Sequence, residues 1–257
     1  MTAEPGFFAE VWEWFTDPLH WEGTFGVPAR VAEHVILSAV SVGIAAAIAL
    51  PIGLYIGHRR RFEFLVISVA NLGRAIPSFG LLFLFVTIFG LGLDSPAALR
   101  PAIVFALVLL AIPPILTNTY VGIQGVDPDT LEAARGMGMG ERRVLLGIEI
   151  PLGAPLIMAG LRTAAVQVVA TATLGAVVAG GGLGRFIIDG FAAGDDPQIF
   201  AGALLVALLA IATELAFGVV ERMVRPRTTS GRPPGRRRVE EPPLRYAAQA
   251  GQPGAPY

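Results

Sequence analysis

Long apolar runs separated by short charged segments make up most of the chain. Residues 35–57 carry no charged side chain. As a helix rising about 1.5 Å per residue, this run is long enough to cross a hydrocarbon core of about 30 Å. Four later runs are apolar apart from isolated charged residues and prolines. The pattern predicts an all-α membrane protein with five transmembrane helices, at about 35–57, 62–93, 101–124, 152–179 and 197–221.

The second run has two interpretations, because Pro77 lies near its middle. It is either one long kinked helix or two short spans, and the basic residues separate these possibilities because they prefer the cytoplasmic side. With five spans and the N-terminus outside, fourteen arginines lie in the cytoplasm and three outside. A six-span arrangement that keeps 127–151 inside places the cluster Arg59–Arg61 outside. We therefore predict a second helix kinked at Pro77 and a cytoplasmic C-terminus.

The two ends of the chain differ from its apolar middle. Residues 1–29 combine acidic residues with aromatic ones such as Trp12 and Trp14. They predict an extracellular or interfacial segment, either a short helix at the outer membrane surface or a poorly ordered arm. Residues 30–223 form the predicted transmembrane domain. Residues 224–257 are rich in Pro, Arg and Gly and poor in large apolar residues, which predicts a disordered cytoplasmic tail.

Composition agrees with a membrane protein and excludes several classes of site. Hydrophobic residues make up 54% of the chain and charged residues 15%, whereas a soluble domain carries about 25% charged residues. The absence of cysteine excludes disulfides, thiol nucleophiles and iron–sulfur clusters. The three histidines are far apart in sequence and do not predict a metal site.

The sequence motifs of an ATPase and of common hydrolases are missing. No segment matches GxxxxGK[ST], and the chain contains no lysine, so it lacks the usual phosphate-binding lysine. Neither HExxH nor a Ser-His-Asp set is present. We predict that the chain is not an enzyme and holds no cofactor of its own, so that a partner must supply energy.

Residues 127–151 form a charged, helix-prone segment between the third and fourth predicted spans. Asp127 is a good N-cap, and Pro128 suits the first helical position. Asp129 and Glu132 place negative charge in the first turn, where the helix dipole favours it. These features predict a helix that begins at about residue 128 and faces the cytoplasm.

Small apolar residues and glycines complete this segment. Its apolar face is supplied by Leu131, Ala133 and Ala134, and three glycines between 136 and 140 then break the helix. A second short helix is predicted to follow until Pro151. Two short helices joined by a glycine hinge form a surface that another protein can approach closely. The alternative interpretation of the segment is a plain interhelical loop.

The spacing of these residues resembles a known motif. Glu132-Ala133-Ala134, Gly138 and 148–151 are similar to the EAA loop of ABC importer permeases: EAA, three residues, Gly, nine residues, then Ile-x-Leu-Pro. Ile150 replaces the usual Leu. Further segments resemble the osmoprotectant branch of this family, which imports glycine betaine, carnitine, choline or proline betaine. They are residues 75–78, 118–123, 127–128, 136–139 and 180–184, and the resemblance covers about residues 28–223.

The resemblance implies a fold, a set of partners and a location. The fold would be the type I transmembrane domain of ABC importers, in the plasma membrane of a bacterium. Two permease subunits, identical or paralogous, would form the pathway in the bilayer, with two ATPase subunits below and an external substrate-binding protein above. ATP and Mg would bind the ATPase, and no nucleic acid is expected. The residues coupled to the ATPase would be Asp129, Leu131, Glu132, Ala133, Ala134 and Gly138.

Ionisable residues inside spans are candidates for function because burying them is costly. Arg162 and Glu214 lie at similar depths in the fourth and fifth spans, which predicts an ion pair, with Arg162 reaching the interface alone as the alternative. Arg74 lies near the midplane, with Asn71 one turn earlier. Weaker candidates for the pathway, which can equally hold helices together, are Asn118, Tyr120, Gln167 and Thr171.

Three other functions compete with an osmoprotectant permease. The first is a permease of the same family for another solute, such as an amino acid. Only the resemblance to the osmoprotectant branch distinguishes this possibility from an osmoprotectant permease. A secondary transporter or channel acting alone would show an inverted repeat and usually more spans, and no internal repeat is visible. A membrane-embedded enzyme would need clustered nucleophiles or metal ligands, and the sequence has none.

Overall fold

A computed structural model describes residues 6–75, 77–90, 99–178 and 180–224, with the backbone alone at 67, 70–74, 90 and 224. Within these ranges every regular element is helical. The α-helices are α1 (Phe7–Thr16), α2 (Val27–Arg59), α3 (Glu63–Ala75), α4 (Ser78–Gly90), α5 (Arg100–Gln124), α6 (Pro128–Gly136), α7 (Glu141–Val144), α8 (Ile150–Ala172), α9 (Gly184–Ala193) and α10 (Asp196–Val224). Three-residue-per-turn segments occupy Pro18–His20 and Thr173–Val178, and a π-helical turn occupies Leu145–Glu149.

In the described part of the chain, four helices are long and apolar enough to cross a membrane. They correspond to the first, third, fourth and fifth predicted spans, and they are Val27–Arg59, Arg100–Gln124, Glu141–Val178 and Asp196–Met223. The first begins at Val27 rather than at residue 35. Its early turns contain Arg30 and Glu33, which pair at 2.8 Å, so charged residues extend the helix beyond the apolar run.

The predicted second span is divided at Pro77. Helices α3 and α4 contain 13 residues each, or about 20 Å of helix, which is shorter than a hydrocarbon core of about 30 Å. The described part of α3 ends at Ala75, and Pro77, which has no N–H, immediately precedes α4. The structure describes one helix on each side of Pro77 within the range 62–93, for which the sequence predicted one kinked helix; residues 76 and 91–93 lie outside the described ranges.

The predicted second short helix does not end at Pro151. Helix α7 passes directly into the π turn and then into α8, so that residues 141–178 form one continuous helical element. In the π turn the Ile150 N–H donates to the Leu145 carbonyl, five residues back. Pro151 lies in the first turn of α8, where a missing N–H is tolerated. A proline at this place therefore continues the helix instead of stopping it.

Helix α5 is the centre of the bundle. Helices α2 and α8 pack along it, α3 and α4 lie against it, and α10 covers α8 and α9. The core between α2, α5 and α8 is rich in alanine, including Ala49, Ala111 and Ala164. Where α5 crosses α8, a Cβ added to Gly122 would lie 2.9 Å from the Gly153 carbonyl oxygen. Small residues thus allow the close helix contacts that are typical of membrane proteins.

The opposite end of the bundle from α6 carries α1 and α9. Trp14 of α1 packs edge-to-face on Phe186 of α9, with ring centroids 5.4 Å apart. Both residues belong to a small cluster with Val27, Leu183 and Ala201. Helix α9 was not predicted from the sequence, although its apolar residues recur at helical spacing. The disordered tail predicted for 224–257 begins at the last residue of α10, and residues 225–257 lie outside the described ranges.

Candidate coupling loop and intramembrane polar groups

The start of α6 is held by its own side chains. Asp127 is the N-cap, and its Oδ1 accepts a hydrogen bond of 3.0 Å from the Asp129 N–H. Pro128 occupies the first turn, where its missing N–H costs nothing. Asp129 adds negative charge at the positive end of the helix dipole. The sequence predicted this start correctly because every contribution is local.

Helix α6 has two different faces. Leu131 and Ala134 are buried, at 2% and 1% exposure, against Val126 and Val144. Asp129, Glu132 and Ala133 are exposed on the other side. The small apolar face expected from the sequence is therefore split: Leu131 and Ala134 hold α6 to its own chain, while Ala133 points away from it. The predicted contacts of these residues with an ATPase stay predictions.

Gly138 closes α6 with a Schellman motif. The Met139 N–H donates to the Ala134 carbonyl at 3.1 Å, and the Gly138 N–H donates to the Arg135 carbonyl at 2.9 Å. Gly138 has φ +86°, a left-handed conformation that strongly favours glycine. Met139 packs on the cluster that contains Leu131 and Ala134. The glycine segment is thus a specific helix cap with a hydrophobic contact.

A chain of ionic side chains runs from α6 towards α8. Arg135 donates from Nε and Nη2 to the two carboxylate oxygens of Glu141, at 2.9 and 3.1 Å. These hydrogen bonds raise the pKa of the Arg135 guanidinium further. Glu141 in turn approaches His58 of α2, which also contacts Glu149 in the π turn. Sequence reasoning missed His58 and Glu149, although a glutamate between two isoleucines beside Pro151 is an unusual signal.

Arg162 of α8 lies between two carboxylates of α10. Its Nη1 is 3.4 Å from Glu214 Oε1 and 3.3 Å from Glu221 Oε2. The sequence predicted the first of these contacts from equal depth in the membrane and missed the second. Glu214 and Glu221 are seven residues apart, two helical turns on one face, and this spacing is the signal that could have found Glu221.

The candidate pathway residues occupy different environments. Asn118 donates from Nδ2 to the Pro114 carbonyl at 2.8 Å, and Gly160 of α8 packs directly against its side chain. Tyr120 is buried in a cluster with Ile56 and Val66. Gln167 and Thr171 on α8 are half-buried, and the side chains of Asn71 and Arg74 lie outside the described residues. In the structure, Asn118 and Tyr120 thus lie at contacts between helices of the subunit.

The glycine-rich segment 180–184 is fixed to the start of α2. Glu33 accepts the Gly182 N–H at 2.9 Å. His34 is fully buried, accepts the Leu183 N–H at Nδ1 and places Nε2 2.8 Å from the Val169 carbonyl. Since Nδ1 accepts, the proton is on Nε2, which donates to Val169. The segment follows the fourth predicted span, and two polar side chains of α2 hold it in place.

Comparisons with known proteins decide what kind of bundle this is. The profile of the family described as "binding-protein-dependent transport system inner membrane component" matches residues 49–230. That range contains α3 to α10, with the EAA-like helix α6 between the third and fourth predicted spans. The chain belongs to this family of transport permeases. The resemblance first recognised in the EAA spacing is thereby confirmed.

Several curated relatives match most of the permease. The carnitine transport permease OpuCD of Listeria monocytogenes is 40% identical over 194 residues, which are 75% of this chain and 84% of that protein. The choline permease OpuBB and the glycine betaine/carnitine/choline permease OpuCB of Bacillus subtilis are both 35% identical. They match 77% and 79% of this chain and 88% and 90% of their own lengths.

Solved ABC transporters share the fold of the permease. The inward-facing methionine transporter MetNI aligns with a TM-score of 0.67 and 20% identity, covering 81% of this chain and 99% of that one. An amino acid ABC transporter with histidines aligns with a TM-score of 0.60 at 20% identity, covering 77% and 93%. The permease is therefore a multi-pass protein of the cell membrane with the fold of ABC importer permeases. It is a transport subunit and not an enzyme.

Proposed function

We propose that this permease is the membrane subunit of an ATP-driven importer of osmoprotectants such as glycine betaine, choline, carnitine or proline betaine. The observation that carries the proposal is the 40% identity to a permease named for carnitine transport, over 194 residues. The permeases named for choline and glycine betaine match nearly the same share of the chain. The methionine and amino acid transporters resemble it at 20% identity, which is informative for the fold and not for the solute.

The proposed membrane arrangement has five spans. Helices α3 and α4 together cross the bilayer as the second span, bent at Pro77, in the type I importer architecture. The N-terminus lies outside, and the end of the bundle that carries α6 faces the cytoplasm. Support comes from the arginines, of which fourteen fall on the cytoplasmic side and three outside in this arrangement. Residues 1–29 then lie at the outer surface.

The proposed partners follow from membership in the family of binding-protein-dependent transport permeases. Two ATPase subunits bind ATP and Mg, a second permease subunit completes the pathway, and an external binding protein delivers the solute. Helix α6 docks on the ATPase through Glu132, Ala133 and Asp129, all of which are exposed. Gly138 and the buried pair Leu131 and Ala134 keep α6 in position.

The pathway proposal is narrower than the list of candidates. Gln167 and Thr171 of α8, together with Asn71 and Arg74 of α3, are the residues that we assign to the pathway. Asn118 and Tyr120 act mainly in helix packing, because Asn118 contacts Gly160 and Tyr120 lies in a buried cluster.

The test is solute-dependent ATP hydrolysis and uptake by the complex reconstituted with its ATPase and binding protein. Carnitine, choline and glycine betaine are compared with methionine and histidine at the same concentrations. We expect at least one quaternary amine to stimulate both activities and the amino acids to stimulate neither. Glu132→Lys is the matched variant, which should remain in the membrane at normal levels and lose uptake. Stimulation by an amino acid and by no quaternary amine would exclude the proposed solute class.

A further inference from the structure

Glu149 is a buried carboxylate at the end of the bundle that carries α6. It lies in the π turn between Ile148 and Ile150, and only 1% of its surface is exposed. A buried carboxylate needs a hydrogen-bonded partner. His58 in the last turn of α2 supplies it, because its Nδ1 lies 2.5 Å from Glu149 Oε2. The contact joins residues 91 positions apart in the chain.

The same imidazole reaches towards α6 with its other nitrogen. His58 Nε2 lies 3.3 Å from Glu141 Oε2, and Glu141 is held by two hydrogen bonds from Arg135. Carboxylate oxygens only accept, so the ring donates from Nδ1 to Glu149. The four side chains form a continuous series of contacts from α6 through α7 and α2 to the start of α8.

A second contact joins the end of α2 to the residues before α6. Arg60 follows the last residue of α2 in a left-handed conformation with φ 50°, and its Nη2 donates to the Val126 carbonyl at 3.2 Å. Helix α2 is therefore attached on both sides of α6, at Val126 before it and at Glu141 after it. Since α2 packs along α5 and α8, a shift of its end reaches the centre of the bundle.

We propose that His58 and Glu149 are positioning residues that carry a displacement of α6 into the end of α2. The inference rests on the coupling role proposed for α6 and adds the route by which that motion enters the spans. Arg135 and Glu141 complete the route on the α6 side. Glu149 acts through its hydrogen bond, so an amide at this position preserves the function, whereas a methyl group does not.

The experiment measures the geometry of the joint and the coupling of transport separately. Because the chain has no cysteine, spin labels at Tyr55→Cys on α2 and Met137→Cys after α6 report one defined distance in the assembled complex. Both positions are exposed, at 57% and 77%. The distance distribution and the ATP hydrolysed per solute imported are compared in the unchanged protein, Glu149→Ala, Glu149→Gln and the exposed control Arg142→Ala.

We expect Glu149→Ala to broaden the distance distribution and to raise the ATP hydrolysed per solute about tenfold. Glu149→Gln and Arg142→Ala should keep a narrow distribution and normal coupling. If Glu149→Ala fails to accumulate, the double variant His58→Ala with Glu149→Ala replaces it, because removing both partners leaves no unpaired buried hydrogen-bonding group. The double variant should fold and remain uncoupled.

Two outcomes overturn the inference. The first is a narrow distance distribution in Glu149→Ala. The second is a broadened distribution in Glu149→Ala with a normal amount of ATP hydrolysed per solute. Either result shows that the pair does not carry motion from α6. Failure of the proposed role of α6 is distinguished by Glu132→Lys. Normal transport in that variant refutes docking through α6, whatever the spin labels at the His58–Glu149 joint report.

Discussion

At the scale of single residues, Gly138 shows how one backbone conformation fixes the end of a helix. A Cβ built on Gly138 meets nothing within 4 Å, yet its φ is +86°, so any penalty for a side chain comes from the backbone alone. Gly136, two residues earlier, is equally open and has no positive φ. An added side chain is crowded at neither glycine. A difference between alanine variants at the two positions therefore measures the backbone strain at Gly138.

We predict that Gly138→Ala destabilises the end of α6 by about 1–2 kcal/mol, the cost of a left-handed conformation for an ordinary residue. Gly138→Asn should cost less, because asparagine tolerates this region, and Gly136→Ala should be neutral or stabilising. Hydrogen exchange of the Met139 amide, which is bonded to the Ala134 carbonyl, measures the effect. Equal exchange rates in the two alanine variants would contradict the assignment of the cap.

Arg162 is the second residue whose surroundings predict an asymmetric response. Its Nη1 lies 3.4 Å from Glu214 and 3.3 Å from Glu221, so Arg162→Ala takes a neighbouring cation away from two carboxylates. Glu214→Ala leaves the contact between Arg162 and Glu221 in place. We expect Arg162→Ala to reduce the folded permease recovered in detergent much more than Glu214→Ala does, as measured by size-exclusion chromatography.

Replacing Arg162, Glu214 and Glu221 together by leucine is the control for this cluster. Removing all three charges eliminates the desolvation cost, so the triple variant should recover more folded protein than Arg162→Ala alone. If Arg162→Ala and Glu214→Ala give the same yield, the cluster does not hold α8 to α10.

At the scale of elements, α6 carries two adjacent alanines with opposite surroundings. Ala134 is 1% exposed against Leu131 and Val144, whereas Ala133 faces solvent. Ala134→Leu overpacks the cluster and should destabilise the permease by about 1–3 kcal/mol. Ala133→Leu should leave the permease stable and prevent the ATPase from co-purifying. Thermal unfolding of the permease and recovery of the ATPase are measured for both, and ATPase recovery with Ala133→Leu would argue against docking through this face.

The elements also show what the sequence could predict and why. The start of α6 was predictable because Asp127, Pro128 and Asp129 act within one turn. The extension of α2 back to Val27 was not predictable from the sequence. The charged Glu33 in this extension accepts a hydrogen bond from the Gly182 N–H, 149 residues away in the chain. His58 and Glu149 were missed for the same reason. Hydrophobic runs thus locate spans, while polar partners distant in the chain decide where helices end and how they are joined.

At the scale of the whole molecule, the two ends of the bundle differ in ways that fit opposite sides of a membrane. The α1 end combines aromatic residues with acids, and the Glu33 and His34 contacts hold its glycine-rich segment. The α6 end carries the arginine-rich turn after α2 and the ionic chain through His58. Long apolar helices, which pack closely at alanine and glycine positions, connect the two ends.

This polarity gives the prediction for membrane orientation. Single cysteines are introduced at the exposed positions Thr24, Phe62 and Met137, in a chain with no other cysteine. In the five-span arrangement α3 and α4 cross together, so Phe62 and Met137 both lie inside and Thr24 lies outside. An impermeant maleimide should label Thr24→Cys in intact cells and the other two only after the membrane is opened. A six-span arrangement with Met137 inside places Phe62 outside, because α3 and α4 then cross separately. Labelling of Phe62→Cys in intact cells, with Met137→Cys protected, would therefore contradict the bent second span. It would show that α3 and α4 are separate spans and that Arg59–Arg61 lie outside.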